Sequence, residues 1–110
     1  MTGNQPAGNE IQVHIELISW VNGLAGGPGS GSLEVTLQVP AGTTVRQVLK
    51  QYSAPHAKLR EALWDENDRE EIGPHLEVIV NNAILGVHHE LGSPLADDDR
   101  VLLTGQFIGG

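Results

Sequence analysis

The order of hydrophobic patterns along this chain predicts an α+β fold, a mixed sheet of four to five strands with a helix packed across one face. Two runs with an apolar residue at every second position come first. A run with helical spacing follows, and short β-type apolar runs separated by turn residues close the pattern. With 110 residues, the chain has the length of one domain with one core.

In the first run Ile11, Val13, Ile15 and Leu17 alternate with Gln12, His14, Glu16 and Ile18, the period of a strand with one buried face. Ile18 and Trp20 blur its exposed side. In the second, Leu33, Val35, Leu37 and Val39 alternate with Glu34, Thr36 and Gln38 and stop at Pro40, which has no N–H to give to a ladder. The two strands are expected to form a hairpin. Residues 22–31 between them are too rich in glycine for a tight turn and read as a long flexible loop.

After Pro40-Ala41-Gly42 the period changes. Thr43 or Thr44 is placed to cap a helix, and Val45, Val48, Leu49 and Tyr52 follow at i, i+3, i+4 and i+7. Pro55 interrupts this helix, and Leu59, Ala62 and Leu63 suggest a second helical segment over residues 55–64. Residues 65–71 are almost wholly charged and are expected to be a solvated acidic loop. Strand character returns at Leu76, Val78 and Val80. Asn81-Asn82 tolerates the positive backbone angles of a hairpin turn, Ala83, Ile84 and Leu85 supply a short return strand, and residues 100–104 form a last apolar strand.

The formal charge is −8, from 14 Asp plus Glu against 6 Lys plus Arg, so phosphate backbones and anionic membranes should be repelled. No nucleic-acid or membrane partner is expected; a protein with a basic docking face is. There is no Cys, which removes disulfides, thiolate metal sites and cysteine nucleophiles. The N-terminus is polar, without a basic residue followed by an apolar stretch, and no run approaches a membrane span. A cytoplasmic location is the expectation. Residues 1–9 read as a disordered arm, 10–105 as the domain and 106–110 as a flexible tail.

Four local strings narrow the reading. They are Pro40-Ala41-Gly42-Thr43-Thr44-Val45 with Leu49 after it, then Val80-Asn81-Asn82, then Pro94-Leu95-Ala96-Asp97-Asp98-Asp99-Arg100-Val101, and finally Gly109-Gly110. In this order they resemble the bacterial MoaD and ThiS sulfur carriers, and the element order looks like the β-grasp fold of ubiquitin. The likeness spans roughly residues 11–110. Asn82 and Asp98 stand where that family usually has Gly, which implies turns held in left-handed backbone by residues that tolerate it. The loop at 22–31 and the N-terminal arm are further departures.

The resemblance implies a carrier, not an enzyme, with no catalytic residue, no metal ligand and no permanently bound cofactor. A ubiquitin-activating-like adenylating enzyme would use ATP and magnesium to activate the Gly110 carboxylate. Sulfide from a sulfur donor protein would then give a thiocarboxylate, for delivery to a sulfur acceptor enzyme in cofactor, metabolite or tRNA biosynthesis. A lysine amine of a target protein would instead give a conjugate, the alternative role of a protein modifier. A third reading, a non-covalent interaction domain, leaves the tail unactivated. Gly109 and Gly110 lack Cβ and let an extended backbone enter a narrow channel. Phe107 and Ile108, just before them, are candidate docking residues for the activating enzyme, or else finish the last strand.

Other candidates read more simply. His88, His89 and Glu90 are metal-capable types, but adjacent residues on a strand face opposite ways and no second ligand cluster accompanies them, so a surface loop is expected. Asp97, Asp98 and Asp99 lack the spacing of a calcium loop. The acidic stretch at 65–71 is a solvated face or a steering surface.

Overall fold

The computed structural model describes residues 9–106. Five strands form one sheet in the order β2-β1-β5-β3-β4. They are β1 (Glu10–Ile18), β2 (Ser32–Pro40), β3 (Leu76–Val80), β4 (Ala83–Ile84) and β5 (Asp99–Gly105), with helices α1 (Val45–Ser53) and α2 (Ala57–Leu63) between β2 and β3. β1 and β2 are the expected antiparallel hairpin, in register from Glu10 with Pro40 to Ile18 with Ser32. β5 runs parallel to β1 on one side and antiparallel to β3 on the other, so the last strand in sequence is the middle strand of the sheet.

The predicted alternation becomes a two-sided sheet. Val13, Ile15 and Leu17 of β1 are fully buried, as are Val101 and Leu103 of β5, and Val78 and Val80 of β3 are nearly so. Val45, Val48, Leu49 and Tyr52 of α1, with Leu59 and Leu63 of α2, join the same core cluster. One apolar stripe per helix thus covers one face of the sheet. On the other face the register aligns Leu102, Ile79 and Ile84 across β5, β3 and β4, and Ile84 stays exposed.

The start of α1 is fixed by a capping box. Thr44 Oγ1 accepts from Gln47 N at 3.2 Å, and Gln47 Oε1 accepts from Thr44 N at 2.9 Å, so two otherwise orphaned donors are satisfied. Two more are taken by the segment that precedes β5: Val45 N donates to Ser93 O at 3.0 Å and Arg46 N to Leu91 O at 2.9 Å. Asn81 and Asn82 form the β3-β4 turn at φ 50° and 71°, and Asp98 stands at φ 68°. Asn82 and Asp98 therefore do occupy left-handed backbone, the conformation for which glycine is the default.

The stretch read as a long flexible loop is different. Ser19–Ala25 forms a 3-10 helix, and the fully buried Asn22 ties down the glycine-rich residues after it: its Nδ2 donates to Ser30 O at 2.9 Å and its Oδ1 accepts from Gly29 N at 2.6 Å. A polar side chain thus supplies the bonds that the glycine backbone cannot make with itself. The acidic stretch is a loop, as expected, but it is held to α1. Arg46 Nε donates to Glu70 O at 2.8 Å, Lys50 Nζ donates to Arg69 O at 2.6 Å, and Lys50 Nζ lies 3.2 Å from a Glu70 carboxylate oxygen.

Candidate functional site

Because β5 is central, the chain leaves the sheet between two neighbours. Gly105 pairs with Leu76 at the start of β3, and Gln106 N donates to His75 O at 2.9 Å, continuing the ladder one residue past β5. On the other side stands the end of β1, parallel to β5. The C-terminal end of β5 thus meets the end of β1, the start of β2 and the start of β3 at one edge of the molecule.

Trp20 occupies that edge. At the end of β1, Ser19 adopts φ 56°, a left-handed angle uncommon for a residue with a side chain, and its N–H donates to Gly31 O at 2.8 Å. The turn carries Trp20 across to β5, where its indole lies against the backbone of Gly105. A Cβ built on Gly105 would fall 2.6 Å from Trp20 Nε1 and 2.9 Å from Cζ2. Only glycine admits the ring in this position. Even so the indole is half uncovered, with 51% of Trp20 exposed, whereas Val21 beside it is fully buried.

The residues predicted to carry the chemistry, Gly109 and Gly110, and the docking candidates Phe107 and Ile108, lie outside the described residues. So does the predicted arm, apart from Asn9, whose carbonyl accepts from Ala41 N at 2.8 Å. What the structure places is the end of β5 at Gly105, with Gln106 after it. Trp20 and Gly105 as a pair were not legible in the sequence; the signals present were an aromatic residue on the exposed side of a strand and a glycine ending another.

The other candidates separate. His88, His89 and Glu90 lie in the turn region after β4, where His89 is part-buried with an unpartnered Nδ1. Among the described residues no three His, Asp or Glu side chains converge as a metal site. Asp97, Asp98 and Asp99 hold the fold: Gln12 N donates to Asp97 Oδ1 at 2.8 Å, Ala96 N to Asp99 Oδ2 at 2.7 Å, and His14 Nε2 lies 3.1 Å from Asp98 Oδ1. Between α1 and α2, Trp64 Nε1 donates to Ser53 Oγ at 3.1 Å under Lys50, whose Nζ stands 4.5 Å from the ring centre. No helix among the described residues is long and apolar enough to cross a membrane.

No protein-family model matches the chain, and no curated protein matches it either. Solved structures do match. The HVO 2177 protein of Haloferax volcanii is 19% identical at a TM-score of 0.73, over 100% of this chain and 94% of that one. Small archaeal modifier protein 1 of H. volcanii is 21% identical at a TM-score of 0.66, over 88% and 99%. A candidate subunit 1 of molybdopterin converting factor from Pyrococcus furiosus is 20% identical at 0.64, over 88% and 99%. The chain has the ubiquitin-like β-grasp fold. In this β-grasp domain the first two strands are joined through the 3-10 turn that carries Trp20, and β5 ends at Gly105 beside it.

Proposed function

We propose that this β-grasp domain is a sulfur carrier whose working group is the carboxylate of Gly110. The observation that carries the reading is the placement of β5. A central strand held on both sides ends at Gly105 on one edge of the molecule, braced by β1 and β3. Residues 106–110 extended would reach roughly 17 Å from that base, enough to bring Gly110 into the active site of another protein. The similarity in fold to a modifier protein and to a candidate molybdopterin converting factor subunit supports the same reading.

The chemistry belongs to the partner. In an adenylating enzyme supplied with ATP and magnesium, a Gly110 carboxylate oxygen attacks the α-phosphorus and pyrophosphate leaves. Sulfide then attacks the acyl carbon, the bond from that carbon to the AMP oxygen breaks, and AMP departs with its electron pair. The product is a thiocarboxylate, whose sulfur is the nucleophile delivered to an acceptor enzyme. No oxidant or reductant is consumed.

Intact mass of the protein isolated from its native host tests this: a gain of about 16 Da that is lost on hydrolysis marks the exchange of one oxygen for sulfur. An unmodified mass after incubation with the adenylating enzyme of the same genome, ATP and sulfide would overturn it. The likeness to a modifier protein favours one other role, conjugation of Gly110 to lysines of target proteins. Gly-Gly remnants on lysines would establish that role. Lys50 and Lys58 are the only lysines of the chain itself.

A further inference from the structure

We infer that Trp20 is a docking anchor for the enzyme that receives the tail, so that the activating partner grips the domain at the Trp20-Gly105 edge as well as by the tail. The inference rests on the carrier reading above. Three independent features meet there. A half-exposed indole, the largest side chain type, is left uncovered in a domain whose other tryptophan, Trp64, is 4% exposed. The backbone is bent into a left-handed angle at Ser19 to put it there, a conformation that persists only where the surroundings enforce it. The strand it crosses carries glycine where a Cβ would fall 2.6 Å from the indole Nε1.

Rigidity is supplied by Asn22, whose bonds to Ser30 and Gly29 lock the turn. A preorganised aromatic loses little freedom on binding, which is what makes such residues dominant contributors at interfaces. The occupant is set by distance. An enzyme whose active site holds Gly110 has its channel mouth within roughly 17 Å of Gly105, the extended reach of residues 106–110. A channel enclosing most of those residues brings its rim onto the edge where Trp20 stands. The partner surface that fits is an apolar hollow beside the tail channel, with basic residues around it to suit a domain of charge −8.

The test uses the full chain, Trp20→Ala, Trp20→Phe, a form lacking Gly109 and Gly110 and a form lacking residues 107–110, each with the adenylating enzyme of the same genome. ATP–pyrophosphate exchange gives KM and kcat for the carrier. Fluorine NMR of 5-fluorotryptophan-labelled protein gives one resonance for Trp20 and one for Trp64. Trp20→Ala is expected to raise KM about tenfold with kcat within about twofold, and Trp20→Phe to recover most of the loss. The Trp20 resonance should move when enzyme is added, in the truncated form too, while the Trp64 resonance stays and reports an intact core.

An unchanged KM in Trp20→Ala would overturn the docking role and leave the carrier reading standing. A moving Trp20 resonance without any exchange would support the docking edge and remove the carboxylate chemistry. Neither exchange nor movement removes both. A solvent isotope shift at Trp20 that appears only after residues 107–110 are deleted would assign the indole to the chain's own tail and overturn the inference.

Discussion

Asn22 Oδ1 accepts the backbone N–H of Gly29 at 2.6 Å, so one buried amide closes a glycine-rich connection that has few other means of holding a shape. Asn22→Ala removes both this bond and the one to Ser30, and is expected to destabilise the domain by about 1–3 kcal/mol. Urea unfolding measures it. Hydrogen exchange should quicken first at Gly29, ahead of the strands on either side.

The helix cap offers a second measurement. Thr44→Ala takes away the acceptor used by Gln47 N and should cost about 1 kcal/mol. Gln47→Ala removes the reciprocal half. Because the two side chains act on one another's backbone, the double variant should cost less than the two single losses added, the sign of coupling in a double-mutant cycle.

At Asn82, φ is 71°, and among the described residues no side-chain bond holds it there as bonds to Asp99 and Arg100 hold Asn81. Asn82→Gly relieves the left-handed penalty and is expected to stabilise the domain by up to about 1 kcal/mol, less whatever the freer unfolded chain takes back. Asp98→Gly should gain less or lose, since it also gives up the contact with His14. Thermal melting of the two variants separates these outcomes.

Gly105→Ala puts a methyl group where the indole of Trp20 lies. The ring is half exposed and can swing outward, so the expected stability loss is modest, about 1–2 kcal/mol. The clearer readout is spectroscopic: the Trp20 emission should move to longer wavelength while that of buried Trp64 does not. Made in a Trp20→Ala background, the same substitution should cost almost nothing.

Burial raises the pKa of Tyr52 above the ordinary tyrosine value of 10.0. The unfolded chain then loses its phenolic proton at lower pH than the folded one, so between the two values the folded state holds more protons. Stability conferred by the neutral phenol is complete below pH 10.0 and falls as pH rises from there toward the folded pKa. Tyr52 is the only tyrosine, so phenolate absorbance near 295 nm titrates that one group, and its midpoint is expected above the ordinary value.

Elements whose sequence carries a period were legible. The alternation from Ile11 to Leu17 and the spacing of Val45, Val48, Leu49 and Tyr52 mark β1 and α1 because each repeats an apolar residue at the pitch of its backbone. Even the left-handed turns at Asn82 and Asp98 could be anticipated, since the residues that tolerate such angles are few. The order of strands in the sheet comes from packing and has no local signal, which is why the central place of β5 rests on the likeness to ubiquitin until the structure shows it. Residues 22–31 depart from expectation for a different reason. Glycine content reports the freedom of a backbone, not the one side chain that cancels it, and Asn22 is a single polar residue with no period around it. The edge formed by Trp20 and Gly105 joins residues far apart in sequence, which local patterns cannot pair. The predicted tail chemistry at Gly109 and Gly110 comes from the family resemblance, and fold geometry supplies only the base from which it works.

The middle strand of the sheet is also the last to be synthesised. Until Asp99–Gly105 is available, β1 and β3 each have an open edge of the kind that recruits stray strands, and the sheet is two separate pieces. Completion therefore waits for a long-range pairing, Val13 beside Asp99, which is slow to form because a large loop must close first. A truncated or damaged copy that lacks β5 leaves β2-β1 and β3-β4 unjoined and gives Trp20 no Gly105 to lie against. The strand that closes the chain's described fold is thus also the one that makes the two halves of the sheet into one.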